Sequence, residues 1–170
     1  TLRQHGRTLR MLHADPNVFL IEYFLTAAEI QHFSRICGQA SFNRSYTDDD
    51  DGNRVVSEER TSTFFWLPKA GDTQSRAVEA RAAELLGLVS HNTEPLQIVS
   101  YTEGQHFDVH HDAGTLDEET GAVAGPCVPR RVATIFVYLN SLPESEGHTE
   151  FPELGISVRP KRGAAVLFPN

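Results

Sequence analysis

The sequence predicts an α+β fold in which helices pack on a β-sandwich or jelly roll. Two helix-like segments lie in the first half of the chain, and short β-type segments separated by Gly, Pro and acidic turns follow Pro95. Helices followed by strands alone are typical of α+β proteins, in which helices cover one side of antiparallel sheets. A length of 170 residues suits one domain with a hydrophobic core of its own.

The composition limits the classes of partner. The chain is 39% hydrophobic and 22% charged, and its formal net charge is -8. An acidic chain is a poor match for the phosphate backbone, so we expect no nucleic acid as a partner. No apolar run approaches the roughly 20 residues of a membrane helix, so we expect no transmembrane segment in this chain.

The first elements are an arm, a strand and a capped helix. Residues 1–16 are polar and basic, and we expect a loosely held N-terminal arm. The apolar and aromatic run Val18–Phe24 predicts a strand. Thr26 followed by Glu29 forms a capping box, which predicts a helix ending near Gly38. Three residues share its apolar face: Ile30, Phe33 and Cys37.

The middle of the chain alternates between polar and apolar segments. Residues 43–60 contain the acidic run Asp48–Asp51, which is either a solvated loop or hairpin tip or a lid over a site. Thr61–Leu67 is rich in β-branched and aromatic residues and predicts a strand. A helix is predicted from Asp72, as its cap, to near Gly87.

Five short segments after Pro95 have β-type composition, and we expect each to be a strand. They are Leu96–Tyr101, Gln105–His110, Val132–Leu139, Ile156–Arg159 and Ala164–Phe168. Cys37 and Cys127 are too few for a disulfide framework, and the sequence leaves open whether they pair.

The stretch GQHFDVHHD, residues 104–112, concentrates three histidines and two aspartates. Alternate residues of a strand share a face, so His110 and Asp112 should project together. An imidazole and a carboxylate so placed can bind one metal ion. With a third, distant ligand they would form the two-His-one-carboxylate triad of non-haem Fe(II) sites. The spacing alone does not distinguish this from a solvated strand face.

Several motifs together resemble those of the prolyl 4-hydroxylases, which are Fe(II)- and 2-oxoglutarate-dependent dioxygenases. The segment from Tyr101 to Asp112 resembles the first metal motif of that family, and Glu59–Thr63 resembles its Arg-Thr-Ser strand. The family order continues downstream, and the resemblance covers residues 17–170. Three further segments carry it: 131–139, 146–152 and 158–168.

The resemblance implies a double-stranded β-helix, or jelly roll, with N-terminal supporting helices. Residues 17–170 would be the catalytic domain. The family continues past the last strand to a second metal histidine and a lysine that pairs with 2-oxoglutarate. We expect both beyond residue 170, so that this stretch of the domain is C-terminally incomplete.

The resemblance also assigns roles to individual residues. His110 and Asp112 would ligate the iron and form the catalytic centre, and Tyr101 and Thr149 would hold the 2-oxoglutarate tail. Phe107 stands where the family often has a tyrosine. Five residues would line the substrate groove: Arg60, Ser62, Glu94, Phe107 and Arg131.

The implied activity is hydroxylation of peptidyl proline to 4-hydroxyproline. The reaction would use Fe(II), O2 and 2-oxoglutarate, with ascorbate as a further cofactor, and would release succinate and CO2. The implied partner is a proline-rich peptide or protein. The family resemblance favours the endoplasmic reticulum lumen, and the cytoplasm is the other option.

Three other functions compete with this one. The chain could be another 2-oxoglutarate oxygenase with a different substrate, or a catalytically dead module that binds proline-rich peptides. A structural zinc domain is weaker, because such sites usually have four closed Cys and His ligands.

Overall fold

The structure is a computed structural model and describes residues 2–4, 7–48, 53–116, 123–124 and 131–170. Short antiparallel strands dominate these ranges, with two α-helices in the first half. The α+β class predicted from the sequence is therefore confirmed at that level. The helices are α1 (Ala27–Cys37) and α2 (Thr73–Leu85), and the strands are β1 (Leu2–Gln4), β2 (Arg7–Ala14), β3 (Asn17–Ile21), β4 (Asn43–Arg44), β5 (Thr47–Asp48), β6 (Arg54–Val55), β7 (Thr63–Trp66), β8 (Gln97–Ser100), β9 (Thr115–Leu116), β10 (Val123–Ala124), β11 (Ala133–Val137), β12 (Thr149–Phe151), β13 (Ile156–Val158) and β14 (Ala165–Pro169).

The largest sheet has the order β1-β2-β3-β14-β11 and is antiparallel throughout. Alternate residues of its strands point to opposite faces, so the sheet contributes to two apolar clusters. One cluster joins the sheet to both helices, as Ile21 and Leu167 pack with Phe33 and Val78. The other cluster joins the opposite face to the β12–β13 hairpin, with Val158 at its centre.

Helix α1 begins as the capping box predicts. The Thr26 side chain accepts a hydrogen bond from the Glu29 amide at 3.2 Å, and Glu29 accepts one from the Thr26 amide at 2.8 Å. Ile30 and Phe33 are buried on its core side, and Cys37 is half-buried beside them. Burial raises the pKa of the Cys37 thiol.

Helix α2 begins at the predicted cap. Asp72 accepts a hydrogen bond from the Ser75 amide at 2.8 Å. The two helices are joined by an ion pair in which Arg81 Nη2 lies 2.6 Å from Glu29 Oε1. Both side chains are largely shielded from water, with 12% and 8% of their surface exposed.

A buried carboxylate anchors the turn that follows α2. Glu79 of α2 is 1% exposed and lies 3.1 Å from Lys69 Nζ. Lys69 in turn donates hydrogen bonds to the carbonyls of Ser90, at 2.9 Å, and Thr93, at 2.7 Å. The short 3-10 turn Ser90–Asn92 is thereby tied to the helix, two residues before Glu94.

A second sheet, β4-β7-β8, packs one face on the same core as the helices. Strand β7 confirms the strand predicted at 61–67, and β8 the one predicted at 96–101. Phe65 pairs with Ile98 in register, and both lie on the core face. Phe64 and Trp66 therefore point to the outer face.

The N-terminal arm differs from the expectation. Arg7–Ala14 is not loosely held but forms β2, which pairs with β3 and buries Leu9 to 2% exposure. The physical reason is that Leu9 packs in one apolar cluster while Leu12 packs against the other, across the irregularity between Met11 and His13.

The predicted strand Gln105–His110 is also corrected. This segment makes one isolated antiparallel bridge, between Arg60 and Phe107, instead of an extended ladder. Gly104 has a left-handed φ of +80°, and the Gln105 side chain accepts a hydrogen bond from the Thr102 amide at 2.8 Å. The resulting turn limits strand pairing.

Two sequence predictions fall partly or wholly outside the described residues. The acidic tip Asp49–Gly52 is one, although β5 and β6 pair on either side of it as a hairpin would. Cys127 is the other. Within the described ranges, no helix has both the length and the apolar character needed to cross a membrane.

Candidate metal centre and substrate face

His110 and Asp112 lie side by side, as the sequence predicts. His110 Nε2 is 3.0 Å from Asp112 Oδ1. The other ring nitrogen, Nδ1, donates a hydrogen bond to the Asp108 carbonyl at 2.7 Å. Since a carbonyl only accepts, this bond fixes the proton on Nδ1 and directs Nε2 toward the carboxylate.

Asp112 is held from its other side by β11. The Thr134 hydroxyl donates to Asp112 Oδ2 at 2.6 Å. Burial acts to raise the pKa of Asp112, but hydrogen bonds from His110 and Thr134 outweigh burial and lower the pKa. Burial likewise acts to lower the pKa of His110, but its bonds to Asp112 and Asp108 raise the pKa above its ordinary value.

This arrangement fits a bound cation. In the neutral imidazole with its proton on Nδ1, Nε2 and Asp112 Oδ1 are two acceptors that face each other. Such a pair is stable only with a positive charge between or beside the two atoms, which a metal ion or a second proton supplies. One imidazole and one carboxylate are two of the three ligands in the facial triad of non-haem Fe(II) sites. Within the described part of the chain, no group of three His, Cys, Asp or Glu side chains could hold a metal, so these two residues are a partial ligand set.

Aromatic and cationic groups cover the imidazole. The Phe107 ring stacks on His110 with centroids 3.6 Å apart and planes 14° from parallel. The Arg60 guanidinium lies 4.6 Å from the Phe107 centroid, and its Nη2 donates to Gln97 at 3.2 Å. Burial lowers the pKa of Arg60. Its Nε is buried without a hydrogen-bond partner among the described residues.

A second arginine borders the pair. Arg131 Nε lies 2.5 Å from Glu94 Oε1, and Nη2 lies 3.1 Å from Oε2, so the ion pair is bidentate. Arg131 Nη1 also donates to the Asp112 carbonyl at 3.4 Å. Two of the five predicted groove residues, Phe107 and Arg131, contact His110 or Asp112, and Arg60 and Glu94 contact these two in turn.

The remaining predicted residues are placed less directly. Ser62 has no exposed surface, and its hydroxyl is 2.9 Å from that of Ser45, so its contact with a substrate stays a prediction. Tyr101 is 43% exposed at the end of β8 and close enough to Arg60 to act on it electrostatically. Thr149 begins β12 and accepts a hydrogen bond from the Tyr138 hydroxyl at 2.8 Å.

Sequence reasoning missed two side chains that hold site residues. Thr134 contacts Asp112, and Tyr138 contacts Thr149. Thr134 and Tyr138 are four residues apart in the segment 132–139, which was predicted as a strand. Side chains an even number of residues apart on a strand share a face, so this spacing would have selected both. Burial raises the pKa of the Tyr138 hydroxyl, which keeps it a hydrogen-bond donor.

The comparisons first define the class. The sequence profile of the 2OG-Fe(II) oxygenase superfamily matches residues 96–170, which include the His110–Asp112 pair, β11 and β14. The structure also resembles that of the viral collagen prolyl hydroxylase of Paramecium bursaria Chlorella virus-1, solved as a 2OG complex. The TM-score is 0.66 at 23% identity over 89% of this chain and 77% of that one, which shows the fold.

The relatives then define the family. Probable prolyl 4-hydroxylase 7 of Arabidopsis thaliana is 34% identical over 91% of this chain and 53% of its own length. Prolyl 4-hydroxylase 2 of the same plant is 27% identical over 95% of this chain and 59% of its own length. The chain belongs to the prolyl 4-hydroxylase family, and it spans between half and three fifths of the length of these relatives.

Proposed function

We propose that this chain carries the proline-binding face and two metal ligands of a peptidyl-proline 4-hydroxylase that uses Fe(II), O2 and 2-oxoglutarate. One observation carries the proposal: His110 and Asp112 are paired at 3.0 Å, stacked under Phe107 and bordered by two arginines. The oxygenase profile covers this pair, and the relatives are named as prolyl 4-hydroxylases.

The residues around the pair have defined tasks in this proposal. The Asp108 carbonyl holds the proton on His110 Nδ1, which leaves Nε2 as the ligating atom. Thr134 fixes the second oxygen of Asp112, so that the first is free to ligate. When bound, Fe(II) with 2-oxoglutarate supplies the oxidising power that places one oxygen of O2 on a C–H bond.

The co-substrate would lie along the face that carries Thr149. Hydroxyl groups suit a carboxylate in a partly dry pocket, and the Tyr138 hydroxyl orients Thr149 by donating to it. Tyr101 is the second proposed contact. We place both faces within a double-stranded β-helix, of which the largest sheet and the β12–β13 hairpin would be the two layers.

The peptide would cross the Phe107 side of the pair. Extended, proline-containing peptides dock on aromatic surfaces, and Phe107 offers a ring beside the reacting centre. Its lack of a hydroxyl removes a hydrogen bond that a tyrosine would provide. The Glu94–Arg131 pair borders the same region and can accept or donate to the peptide backbone.

The test is hydroxylation by the whole natural protein that contains this chain. Proline-containing peptides are incubated with Fe(II), ascorbate and 2-oxoglutarate, and mass spectrometry follows a gain of one oxygen on proline together with succinate release. His110→Ala and Asp112→Ala should each abolish both signals while leaving the far-UV circular dichroism unchanged. Full activity in either variant would refute the metal assignment, and peptide binding without succinate release would favour a binding module.

A further inference from the structure

The outer face of the β4-β7-β8 sheet carries exposed aromatic surface. Trp66 is the one tryptophan of the chain and is 41% exposed. Phe64 shares its face but is only 5% exposed, and the two rings meet edge to face with centroids 6.3 Å apart. Phe65 between them points into the core, so the indole of Trp66 is the exposed end of this face.

A series of ring and guanidinium contacts connects Trp66 to the candidate metal ligand. From Phe64 the series continues to the Arg60 guanidinium, 5.9 Å from the Phe64 centroid. Arg60 then lies 4.6 Å from Phe107, which stacks on His110 at 3.6 Å. We call this series, Trp66-Phe64-Arg60-Phe107-His110, the aromatic track.

Flanking residues give the track hydrogen-bond donors. Tyr46 packs edge to face on Phe64 at 5.3 Å, and the exposed Arg54 guanidinium lies 4.7 Å from the Tyr46 ring. Rings and guanidinium donors together suit a polyproline II chain, whose carbonyls lack internal hydrogen bonds and whose proline rings pack on aromatic faces.

We propose that the aromatic track is a second subsite for the substrate peptide, in which Trp66 packs on a proline remote from the one at His110. The contacts of the track, laid end to end, span at most about seven residues of a polyproline II chain at ~3.1 Å per residue. This inference rests on the proposed function, because it takes the bound peptide to be the substrate.

The first test uses the fluorescence of Trp66, which needs neither iron nor turnover. The protein is titrated with a peptide of about ten residues that carries prolines at both ends, a length that covers the track. A matched peptide has alanine in place of the distal prolines. We expect a saturable change in Trp66 emission with the first peptide and a much weaker one with the second. Equal responses, or none, would overturn the subsite.

The second test separates binding from chemistry. Trp66→Ala should raise KM for the long peptide about fivefold to tenfold and leave kcat within about twofold. A peptide of about four residues that lacks the distal prolines should keep its KM. Trp66→Phe should restore most of the affinity. The control is Tyr23→Ala, because Tyr23 is 77% exposed beside Lys161 and does not contact the track.

The two proposals fail in different ways. If no peptide is hydroxylated but Trp66 fluorescence responds selectively to distal prolines, the subsite stands and the catalytic proposal fails. If peptides are hydroxylated but Trp66→Ala leaves the KM of the long peptide unchanged, the catalytic proposal stands and the subsite fails.

Discussion

Asp112 shows how the candidate site depends on single hydrogen bonds. One carboxylate oxygen faces His110, and the other accepts from the Thr134 hydroxyl at 2.6 Å. With its second oxygen held, the carboxylate cannot rotate freely away from the imidazole. Orientation of this kind is what outer residues around metal ligands usually provide.

Replacing Thr134 by valine tests this orientation. The side chain keeps its shape but loses the donor, so we expect the affinity for Fe(II) to fall about tenfold to a hundredfold. Anaerobic metal titration of the whole natural protein measures the change. Thr134→Ser keeps the hydroxyl and is the control. A valine variant that binds iron as tightly as the wild type would contradict the assignment.

The residues of the pair could be predicted from the sequence, but the residues that hold them could not. His110 and Asp112 are two apart, and the pairing predicted for them is observed although residues 105–112 form no strand ladder. Thr134 is 22 residues from Asp112, and only strand packing brings the two together. The same limit explains the stacking of Arg60 on Phe107, which requires the bridge between their backbones.

The helices illustrate prediction at the scale of elements. The N-terminal caps of α1 and α2 could be predicted from the sequence, because a capping side chain and its partner lie within four residues of each other. The contact between the helices could not be predicted from the sequence, since Glu29 and Arg81 are 52 residues apart. Strand β2 was missed because three basic residues obscured its apolar side chains.

The Glu29–Arg81 pair should make stability depend on pH. Burial acts to raise the pKa of Glu29, but hydrogen bonds from Arg81 and Thr26 outweigh burial and lower the pKa. The folded pKa therefore lies below the ordinary value of about 4.3. The stabilisation is therefore complete above this value and is lost as pH falls through the lower, folded pKa.

Urea unfolding of Glu29→Gln at several pH values measures this contribution. At neutral pH the variant leaves Arg81 buried without its partner, and we expect a loss of about 3 kcal/mol. The difference from the wild type should shrink in acid, where Glu29 itself becomes protonated. Glu144→Gln removes the exposed partner of Arg159 and should change little. A gap that is constant with pH would contradict the assignment.

At the scale of the whole molecule, one apolar cluster unites most of the elements. It contains side chains from both helices, from the largest sheet and from β8, such as Ile98. The sequence predicted the α+β class from the composition of its segments. It could not predict that two sheets share a core, because that depends on contacts distant in sequence.

A shared core predicts a single cooperative unfolding transition. Trp66 fluorescence reports the β4-β7-β8 sheet, and far-UV circular dichroism reports mainly the helices. We expect both signals to give the same urea midpoint, since the two parts cannot lose their common core separately. An earlier midpoint for Trp66 would show that the small sheet unfolds independently.

The anchoring of the turn after α2 has a consequence for motion at the site. Residues 90–92 are exposed, yet Lys69 binds the carbonyls of Ser90 and Thr93 while Glu79 holds its ammonium from inside the helix. Opening this turn therefore requires breaking the hydrogen bonds from an ammonium that Glu79 holds in place, which raises the free energy of local opening. Glu94 follows Thr93 directly, so the anchored turn also restricts Glu94. Glu94 in turn pairs with Arg131, which donates to the carbonyl of Asp112.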